Sequence, residues 1–195
     1  MAQVIANMSM SLDGYVADEN DGINEVFAWF SSGPVTLEMA NGMKMQMSEK
    51  NAAGFRETIA QTGAVLTGRR TSDLAGAWGG QHPVGAPAYV VTHRPPPEEL
   101  DPETSSVHFV DDVEEAVRQA KEAAGDKVVG VAGGDMIRQL LALGLLDGIT
   151  VSVAPVLLGS GVPFFPNLAN APIHLEGPEV TEGDGVTHLS YTVVR

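Results

Sequence analysis

The sequence contains no cysteine among its 195 residues, and it has little positive charge. Without cysteine, a disulfide framework, a thiolate nucleophile and a cysteine-ligated metal site are excluded, which fits a reducing compartment. The 11 Lys and Arg residues stand against 25 Asp and Glu, which gives a formal net charge of -14. Such a chain repels nucleic acid and anionic membrane surfaces. We therefore expect a small-molecule substrate, with neither nucleic acid nor a membrane as partner.

Long apolar runs and targeting signals are also missing. No stretch reaches the ~18 consecutive apolar residues of a membrane span, and MAQVIANMSMSLDG has neither the basic start nor the apolar centre of a secretory signal. The five histidines show no metal-ligand spacing, so no metal is predicted. We expect a cytoplasmic protein with one domain over residues 1–195, because that length suits a single domain.

Short apolar segments alternate with helical patterns along the first two thirds of the chain. Such segments are typical of strands that are buried on both faces of a parallel sheet. They lie at residues 4–10, 64–67, 88–92, 107–110 and 128–132. Between the last two, apolar residues recur at helical spacing, Asp111 with Glu114 matches a capping box, and Gly125 ends the helix. The alternation predicts an α/β fold.

The pattern changes after the helix that begins near Gly134. Strands are predicted at 149–156, near 172–175 and at 186–194, and without helices between them they are expected to be antiparallel additions at one edge of the sheet. Residues 19–47 form a long segment with little regular pattern, as is typical of a lid. Its Trp29 is interpreted either as the lining of a substrate pocket or as core packing.

Groups suited to phosphate binding follow three of the predicted strands. They are Arg69, Arg70 and Thr71 after the second strand, Thr92, His93 and Arg94 after the third, and Gly133 with Gly134 after the fifth. Arginine forks, hydroxyls and the free amides of a helix start all bind phosphate. Any one basic pair alone is better explained as solvated surface charge. Because the carboxyl ends of parallel strands meet at one edge, the three groups together predict a phosphate-bearing ligand.

Five segments carry a resemblance when they are taken together. They are SLDGYVAD at 11–18, GRRTSD at 68–73, YVVTHRPP at 89–96, VAGGDMIRQLL at 131–141 and PVLLGSGVPFF at 155–165. In this order they resemble the dihydrofolate-reductase-like superfamily, and more closely its branch with the C-terminal reductase domain of the riboflavin-biosynthesis deaminase-reductase, RibD. The resemblance spans nearly the whole chain. It implies a three-layer α/β/α fold that binds NADPH, with a mixed, mostly parallel sheet of about eight strands and an antiparallel C-terminal edge.

The resemblance also implies where NADPH binds. It places the first group, Gly68, Arg69, Arg70 and Thr71, near the adenosine 2′-phosphate and the pyrophosphate. It places the second group, Thr92, His93 and Arg94, near the 2′-phosphate. The third group, at the pyrophosphate, consists of Gly133, Gly134, Asp135, Met136 and Ile137, and its glycines are expected to make room for the diphosphate. The arginines favour NADPH over NADH, because the extra phosphate needs positive partners.

The substrate is implied to lie near Asn7, Ser9, Asp13, Asn51 and Phe55. Asp13 is the candidate catalytic residue: it either bonds the substrate or relays a proton, or it fixes its own turn before Gly14. Folate-reducing relatives carry a carboxylate about one turn before an aromatic residue of this helix. Counting back from Phe55 gives Asn51, and Glu49 or Glu57 takes that place only in a different register. Riboflavin-pathway reductases usually carry a lysine at Asn7 and a glutamate at Ala132. We therefore expect a substrate that is neither folate nor the pyrimidine intermediate of riboflavin synthesis.

Two functions remain open at the level of the sequence. The first is an NADPH-dependent reductase that transfers a hydride to a small heterocyclic or carbonyl compound. The second is a non-catalytic NADPH-binding or sensing protein, because Asn7, Asn51 and Ala132 depart from the relatives. A homodimer is expected from the resemblance and from the apolar segments FFPNL and VFAWF, which offer surface for an isologous contact.

Overall fold

The computed structural model describes residues 2–194. The strands are β1 (Val4–Ser11), β2 (Tyr15–Ala17), β3 (Val35–Glu38), β4 (Lys44–Met47), β5 (Thr62–Gly68), β6 (Ala88–Val91), β7 (Val107–Val110), β8 (Val128–Ala132), β9 (Gly148–Ala154), β10 (Val162–Pro163), β11 (Leu175–Gly183) and β12 (Val186–Val193). The α-helices are α1 (Glu49–Gln61), α2 (Arg69–Leu74), α3 (Val113–Ala124) and α4 (Gly134–Ala142). Short 3₁₀ turns lie at Ala28–Phe30 and Gly76–Gly80.

Eight strands form one sheet in the order β11-β12-β9-β1-β8-β5-β6-β7. The strands from β9 to β7 run parallel, and β12 and β11 are antiparallel additions beyond β9. The predicted α/β fold with its antiparallel C-terminal edge is confirmed. The orientation expected for 149–156 is wrong, because β9 pairs parallel with β1, from Ile5 opposite Gly148 to Ser11 opposite Ala154. The crossover through α4 returns the chain to the edge where β8 began, so β9 runs in the direction of β8.

The face of the sheet under α3 and α4 carries the main hydrophobic core. Val4 and Ala6 of β1, Ala120 of α3, and Ile137 and Leu140 of α4 are all buried in it. Full burial of a large aliphatic side chain stabilises a fold by about 1.5–3 kcal/mol relative to its exposure. Burial on this face therefore stabilises the fold and fixes the positions of α3 and α4 against the parallel strands.

The capping residue of α3 lies one position later than predicted. Asp112, not Asp111, is the N-cap, and its carboxylate accepts a hydrogen bond of 2.8 Å from the backbone N–H of Glu115. A cap reaches the third residue of its helix, and α3 begins at Val113, so the second aspartate has the required spacing. Gly125 ends the helix at a φ of 62°, as the sequence predicts.

The opposite face is covered by α1, by the Ala28–Phe30 turn and by a hairpin of β3 and β4. This hairpin lies within residues 19–47, for which the sequence predicts no regular structure. Leu37, Met47 and Trp29 are buried there and pack in one cluster with Ala52 of α1. The segment is thus partly core. The strand β4 is not predicted from the sequence, because its residues KMQM have a low β-propensity.

The strand β11 is longer than the one predicted near 172–175. It begins at Leu175, and eight of its nine residues are exposed. A strand that is exposed on both faces lacks the apolar alternation by which strands are recognised. Its Pro178 suits an edge strand, where a missing N–H need not pair.

The two segments expected to supply apolar surface for a homodimer are largely internal. Val26 and Trp29 of VFAWF and Phe164 of FFPNL are buried within the chain, whereas Phe165 is partly exposed. The homodimer therefore stays a prediction that rests on the resemblance and not on these segments.

The loop before β6 places a half-buried histidine against an aromatic ring. The His82 imidazole packs against the Trp78 indole with ring centroids 4.6 Å apart, and its Nδ1 accepts a hydrogen bond of 3.3 Å from the N–H of Val84. Burial lowers the pKa of His82 from 6.5 to about 4. The fold therefore needs this imidazole neutral.

We predict that acidification destabilises the protein through His82. The unfolded chain takes up a proton near pH 6.5 and the folded chain only near pH 4, so this contribution is complete above pH 6.5 and is lost as the pH falls toward 4. The free energy of unfolding falls by up to about 3 kcal/mol through this group. Urea denaturation at about pH 6.5 and about pH 4 should show a smaller fall in this free energy for His82→Gln than for wild type. An equal fall in both proteins would contradict the prediction.

Candidate active site

The residues predicted to bind the cofactor meet at the carboxyl edge of three neighbouring strands. β8, β5 and β6 lie side by side and parallel, and they end at Ala132, Gly68 and Val91. Gly133 lies against Thr71, since a Cβ built on this glycine would be 3.1 Å from the Thr71 Oγ1. The first and third predicted groups are therefore in contact. The second group follows β6 next to them.

Two arginines of different segments converge on one carboxylate at this edge. Asp73 accepts hydrogen bonds from the Arg69 Nε at 2.5 Å and from an Arg94 amino group at 2.8 Å. The hydrogen bond from Arg69, and then that from Arg94, lowers the pKa of Asp73. Arg69 is fixed further by the carbonyl of Pro95, at 2.7 Å, and by the Phe109 ring, whose centroid lies 5.7 Å from its guanidinium carbon. The two guanidinium groups are thus held together at this edge by one carboxylate.

Arg70, Thr92 and His93, the other polar residues of the first two groups, differ in their contacts. The exposed Arg70 makes a bidentate pair with Asp21 at 2.6 and 2.8 Å, so an acid of the 19–47 segment neutralises it. Thr92 accepts a hydrogen bond from the Arg94 N–H at 3.0 Å and shapes the turn after β6. His93 lies exposed in that turn.

The two glycines at the start of α4 are required for different structural reasons. Gly133 has a φ of 98°, in the left-handed region, and its N–H donates to the Met8 sulfur at 2.9 Å. Gly134 is buried, and a Cβ there would lie 2.6 Å from the carbonyl oxygen of Pro163. Close packing of the loop around Pro163 therefore requires Gly134 whether or not a diphosphate binds.

The first turn of α4 presents backbone amides rather than side chains. No side chain caps this helix within the described residues, so its first amides lack the side-chain partner that many helices have. Asp135 pairs with Arg138 at 2.7 Å, and the Met136 side chain is buried in the core. The Ile137 side chain is also buried and its N–H bonds the Gly133 carbonyl, which leaves it no free polar group.

Asp13 holds two loops together. One carboxylate oxygen accepts from the Ser11 hydroxyl at 2.5 Å and from the Leu158 N–H at 3.1 Å, and the other accepts from the Gly159 N–H at 2.7 Å. The Ser11 bond, and after it those from the backbone, lower the pKa of Asp13 against a partial opposing effect of desolvation. The ionised carboxylate thus favours the structural role over proton donation.

The predicted substrate residues of α1 are engaged by distant parts of the chain. The buried Asn51 amide bonds both the N–H and the carbonyl of Asp184 at 2.9 Å, and so clamps the turn between β11 and β12. Phe55 packs in an aromatic cluster with Trp29 and Phe30, whose ring centroids lie 6.2 and 5.2 Å away. On β1, Asn7 is exposed, whereas Ser9 is buried and accepts a hydrogen bond from the Trp29 indole at 3.1 Å.

A cleft lies beside the arginines, between α2, the Gly76–Gly80 turn and the loop at 97–106. Its volume is about 880 Å³, which is within the range of small-molecule sites. Glu99 and Asp101 line it together with Arg69 and Asp73, so carboxylates outnumber guanidinium groups. The carboxylates of Glu99 and Asp101 therefore make the part of the cleft away from Arg69 an unfavourable place for a polyphosphate.

The comparison with known proteins shows the family of the chain. Residues 2–189 match the RibD C-terminal domain family. The chain belongs to this family. The resemblance in the sequence is thereby confirmed.

Individual relatives of this RibD C-terminal domain are distant. The uncharacterized protein YyaP of Bacillus subtilis is 23% identical over 178 residues, which cover 84% of this chain and 80% of that protein. A structure from Shewanella sp. PV-4, provisionally named a riboflavin biosynthesis protein, is 24% identical with a TM-score of 0.70, and the match covers 100% of both chains. Dihydrofolate reductase from Enterococcus faecalis, solved with NADP(H), is 15% identical with a TM-score of 0.59, covering 98% of this chain and 96% of that one. These structures share the fold.

Sequence reasoning missed a set of polar side chains on β9 and β12 of the RibD domain. Ser152 and His188 lie 2.8 Å apart, and Thr150 and Ser190 lie 3.1 Å apart, on adjacent strands. The period-two pattern of each strand places its polar residues on one face. Their juxtaposition depends on the register between strands, which the sequence does not encode locally.

Residues 2–194 show neither a metal-binding cluster nor a membrane-spanning helix. No group of three His, Asp or Glu side chains there is arranged to hold a metal ion. No helix of this part of the chain is long and apolar enough to cross a bilayer.

Proposed function

We propose that the protein is an NADPH-dependent reductase that transfers a hydride to a small heterocyclic or carbonyl compound. The observation that carries the proposal is the convergence of Arg69 and Arg94 on one anion position, beside the uncapped start of α4. Membership of the RibD C-terminal domain family supports it, as does a shared fold with a dihydrofolate reductase solved with NADP(H).

The Asp73 carboxylate marks where a phosphate oxygen would be stabilised. A phosphate monoester accepts charge-assisted hydrogen bonds from guanidinium groups as a carboxylate does, with more oxygens and more charge. In a chain of formal charge -14, a ligand with several phosphate charges binds only where local positive groups oppose the overall repulsion. Arg69 and Arg94 are placed to read the 2′-phosphate, and the first amides of α4 are placed to hold the pyrophosphate.

The residues present fit this cofactor, and the cofactor supplies the chemistry when it is bound. Its nicotinamide provides the hydride, whereas the protein binds, orients and excludes water. Gly133 lets the chain turn close to Thr71 at the start of α4. Asp13 holds the loop at 158–159 against the end of β1, and so shapes the rim of the site.

The second candidate is a protein that binds NADPH without reducing a substrate. Two residues favour this candidate. Asn51 is an amide that is hydrogen-bonded to Asp184, and Asp13 is held in its ionised form, so neither is suited to donate a proton. Titration with NADPH, followed by nicotinamide fluorescence, tests binding for both candidates. Loss of the absorbance of the reduced cofactor with a broad panel of substrates then supports the reductase. Binding without turnover across the panel supports the second candidate, and absence of NADPH binding contradicts both.

The double variant Arg69→Ala, Arg94→Ala should lose NADPH affinity far more than NADH affinity. A charge-assisted hydrogen bond contributes roughly 1.5–3 kcal/mol, so loss of one that touches only the 2′-phosphate weakens NADPH binding about tenfold or more. NADH lacks that phosphate. The measurement is a titration of both cofactors against each protein. Arg56→Ala, Arg118→Ala is the matched control, because it removes the same charge from exposed positions on α1 and α3. Equal losses for both cofactors would refute the assignment.

Replacement of Asp21 should raise the affinity for NADPH. The Asp21 carboxylate pairs with Arg70, so Asp21→Asn frees this guanidinium for the cofactor. Exposed ion pairs contribute about 0–1 kcal/mol, which sets the expected gain at up to about fivefold. Glu25→Gln removes the same charge from an exposed position in the same segment and serves as the control. If both variants change NADPH affinity equally, Arg70 does not contact the cofactor.

A further inference from the structure

An ion pair joins the loop after β2 to the first turn of α2. One amino group of Arg70 donates to both carboxylate oxygens of Asp21, at 2.6 and 2.8 Å. The two residues lie 49 positions apart, so the pair is a tertiary contact. The next residue of α2, Thr71, lies against Gly133 at the start of α4. The ion pair is therefore one residue away from the point where α2 meets α4.

Asp21 is presented by a turn with a fixed shape. The Asp18 carboxylate accepts hydrogen bonds from the N–H groups of Asn20 and Gly22, at 2.8 Å each. The Asp18 N–H donates to the Gly22 carbonyl at 2.9 Å. A Cβ at Gly22 would overlap the Asp18 carboxylate, so the turn closes tightly only with a glycine there. These contacts within residues 18–22 fix the position from which Asp21 reaches Arg70.

The same turn is anchored to the start of α4 through two short strands. It follows β2, which pairs with β10 and places Ala17 opposite Val162. Gly161 packs so closely on the Ala17 carbonyl that a Cβ there would overlap it. β10 in turn lies against α4, where a Cβ on Gly134 would be 2.6 Å from the Pro163 carbonyl oxygen. The base of the turn is therefore held by backbone packing.

These contacts form a closed ring at the proposed cofactor edge. The ring runs from Thr71 to Gly133 and α4, through β10 and β2 to the turn at 18–22, and back to α2 through the ion pair. The ion pair is the link that solvent reaches most readily, since the Arg70 side chain is 69% exposed. An exposed pair contributes about 0–1 kcal/mol. The other links are packing contacts or the covalent chain, so the ring opens most easily at the ion pair.

A diphosphate at the start of α4 competes with Asp21 for Arg70. It offers a guanidinium group more acceptor oxygens and more negative charge than one carboxylate does. The carboxylates of Asp18 and Asp21 also repel a diphosphate for as long as the turn stays against α2. Both effects favour exchange of the partner of Arg70 together with movement of the turn.

We propose that the Asp21–Arg70 pair is a latch that holds the 18–22 turn against α2 until a diphosphate takes Arg70 and releases the turn. The inference rests on the proposed binding of NADPH, whose pyrophosphate is that diphosphate. Because coupling between two equilibria is reciprocal, a turn that is held closed weakens NADPH binding by the factor by which NADPH favours its opening.

The direct test locks the turn closed. The chain has no cysteine, so Asp21→Cys, Arg70→Cys introduces the only two thiols. A bismaleimide with an internal disulfide joins them, and the same double variant capped with N-ethylmaleimide is the matched control. Titration followed by nicotinamide fluorescence should give the locked protein an NADPH affinity roughly tenfold or more below that of the capped protein. A reductant that cuts the linker should restore the affinity.

A second variant loosens the turn without any change of charge. Gly22→Ala displaces the Asp18 carboxylate from its hydrogen bonds, so Asp21 is no longer held toward Arg70. NADPH affinity should rise by up to about fivefold, the full contribution of an exposed pair. Gly54→Ala is the control, because a Cβ at Gly54 on α1 meets open space.

The outcomes separate the latch from the proposed function. Equal NADPH affinity of the locked and capped proteins overturns the latch alone, and so does a loss of affinity that the reductant does not reverse. If the double variant does not fold, Gly22→Ala decides, and wild-type affinity in that variant overturns the latch. Wild type that binds no NADPH removes the proposed function, and the latch with it.

Discussion

The shared contact of Arg69 and Arg94 with Asp73 ties α2 to the loop after β6, and the candidate site depends on it. In a chain with so few cations, two guanidinium groups come together only because parallel neighbouring strands deliver both segments to one edge. The carboxylate between them holds the pair without a ligand, since two unscreened cations would repel each other. The same edge receives the uncapped start of α4, so that charge and helix dipole act on one region.

The two faces of the sheet differ in polarity at β1, β9 and β12. Beneath α3 and α4, the apolar side chains of β1, β8 and β9 form a continuous core. On the other face, β1, β9 and β12 turn polar, and Trp29 covers them with one hydrogen bond to Ser9. Period-two alternation allows one strand to serve both purposes, because successive side chains point to opposite faces. The fold can therefore keep its core while its polar face changes.

Much of the fold could be predicted because its signals are local. Buried parallel strands read as apolar runs, and α3 and α4 read as apolar residues at helical spacing. The orientation of β9 could not be predicted, because it depends on the crossover through α4. The extent of β11 could not be predicted either, because that strand is exposed and lacks the apolar alternation of a half-buried strand. The partners of Asn51 and Asp13 lie 133 and about 145 residues away, so their structural roles follow only from the tertiary fold. His188 was missed for the same reason.

The central claim is that the arginine edge binds the 2′-phosphate of the cofactor, and ³¹P NMR of NADP⁺ bound to the protein tests it most directly. A free phosphate monoester takes up its second proton near pH 6, which moves its resonance. Two guanidinium groups stabilise the dianion, so the account predicts that the bound 2′-phosphate resonance stays at its dianionic position from about pH 8 to about pH 5. A bound resonance that titrates near pH 6, as in free solution, would contradict the account.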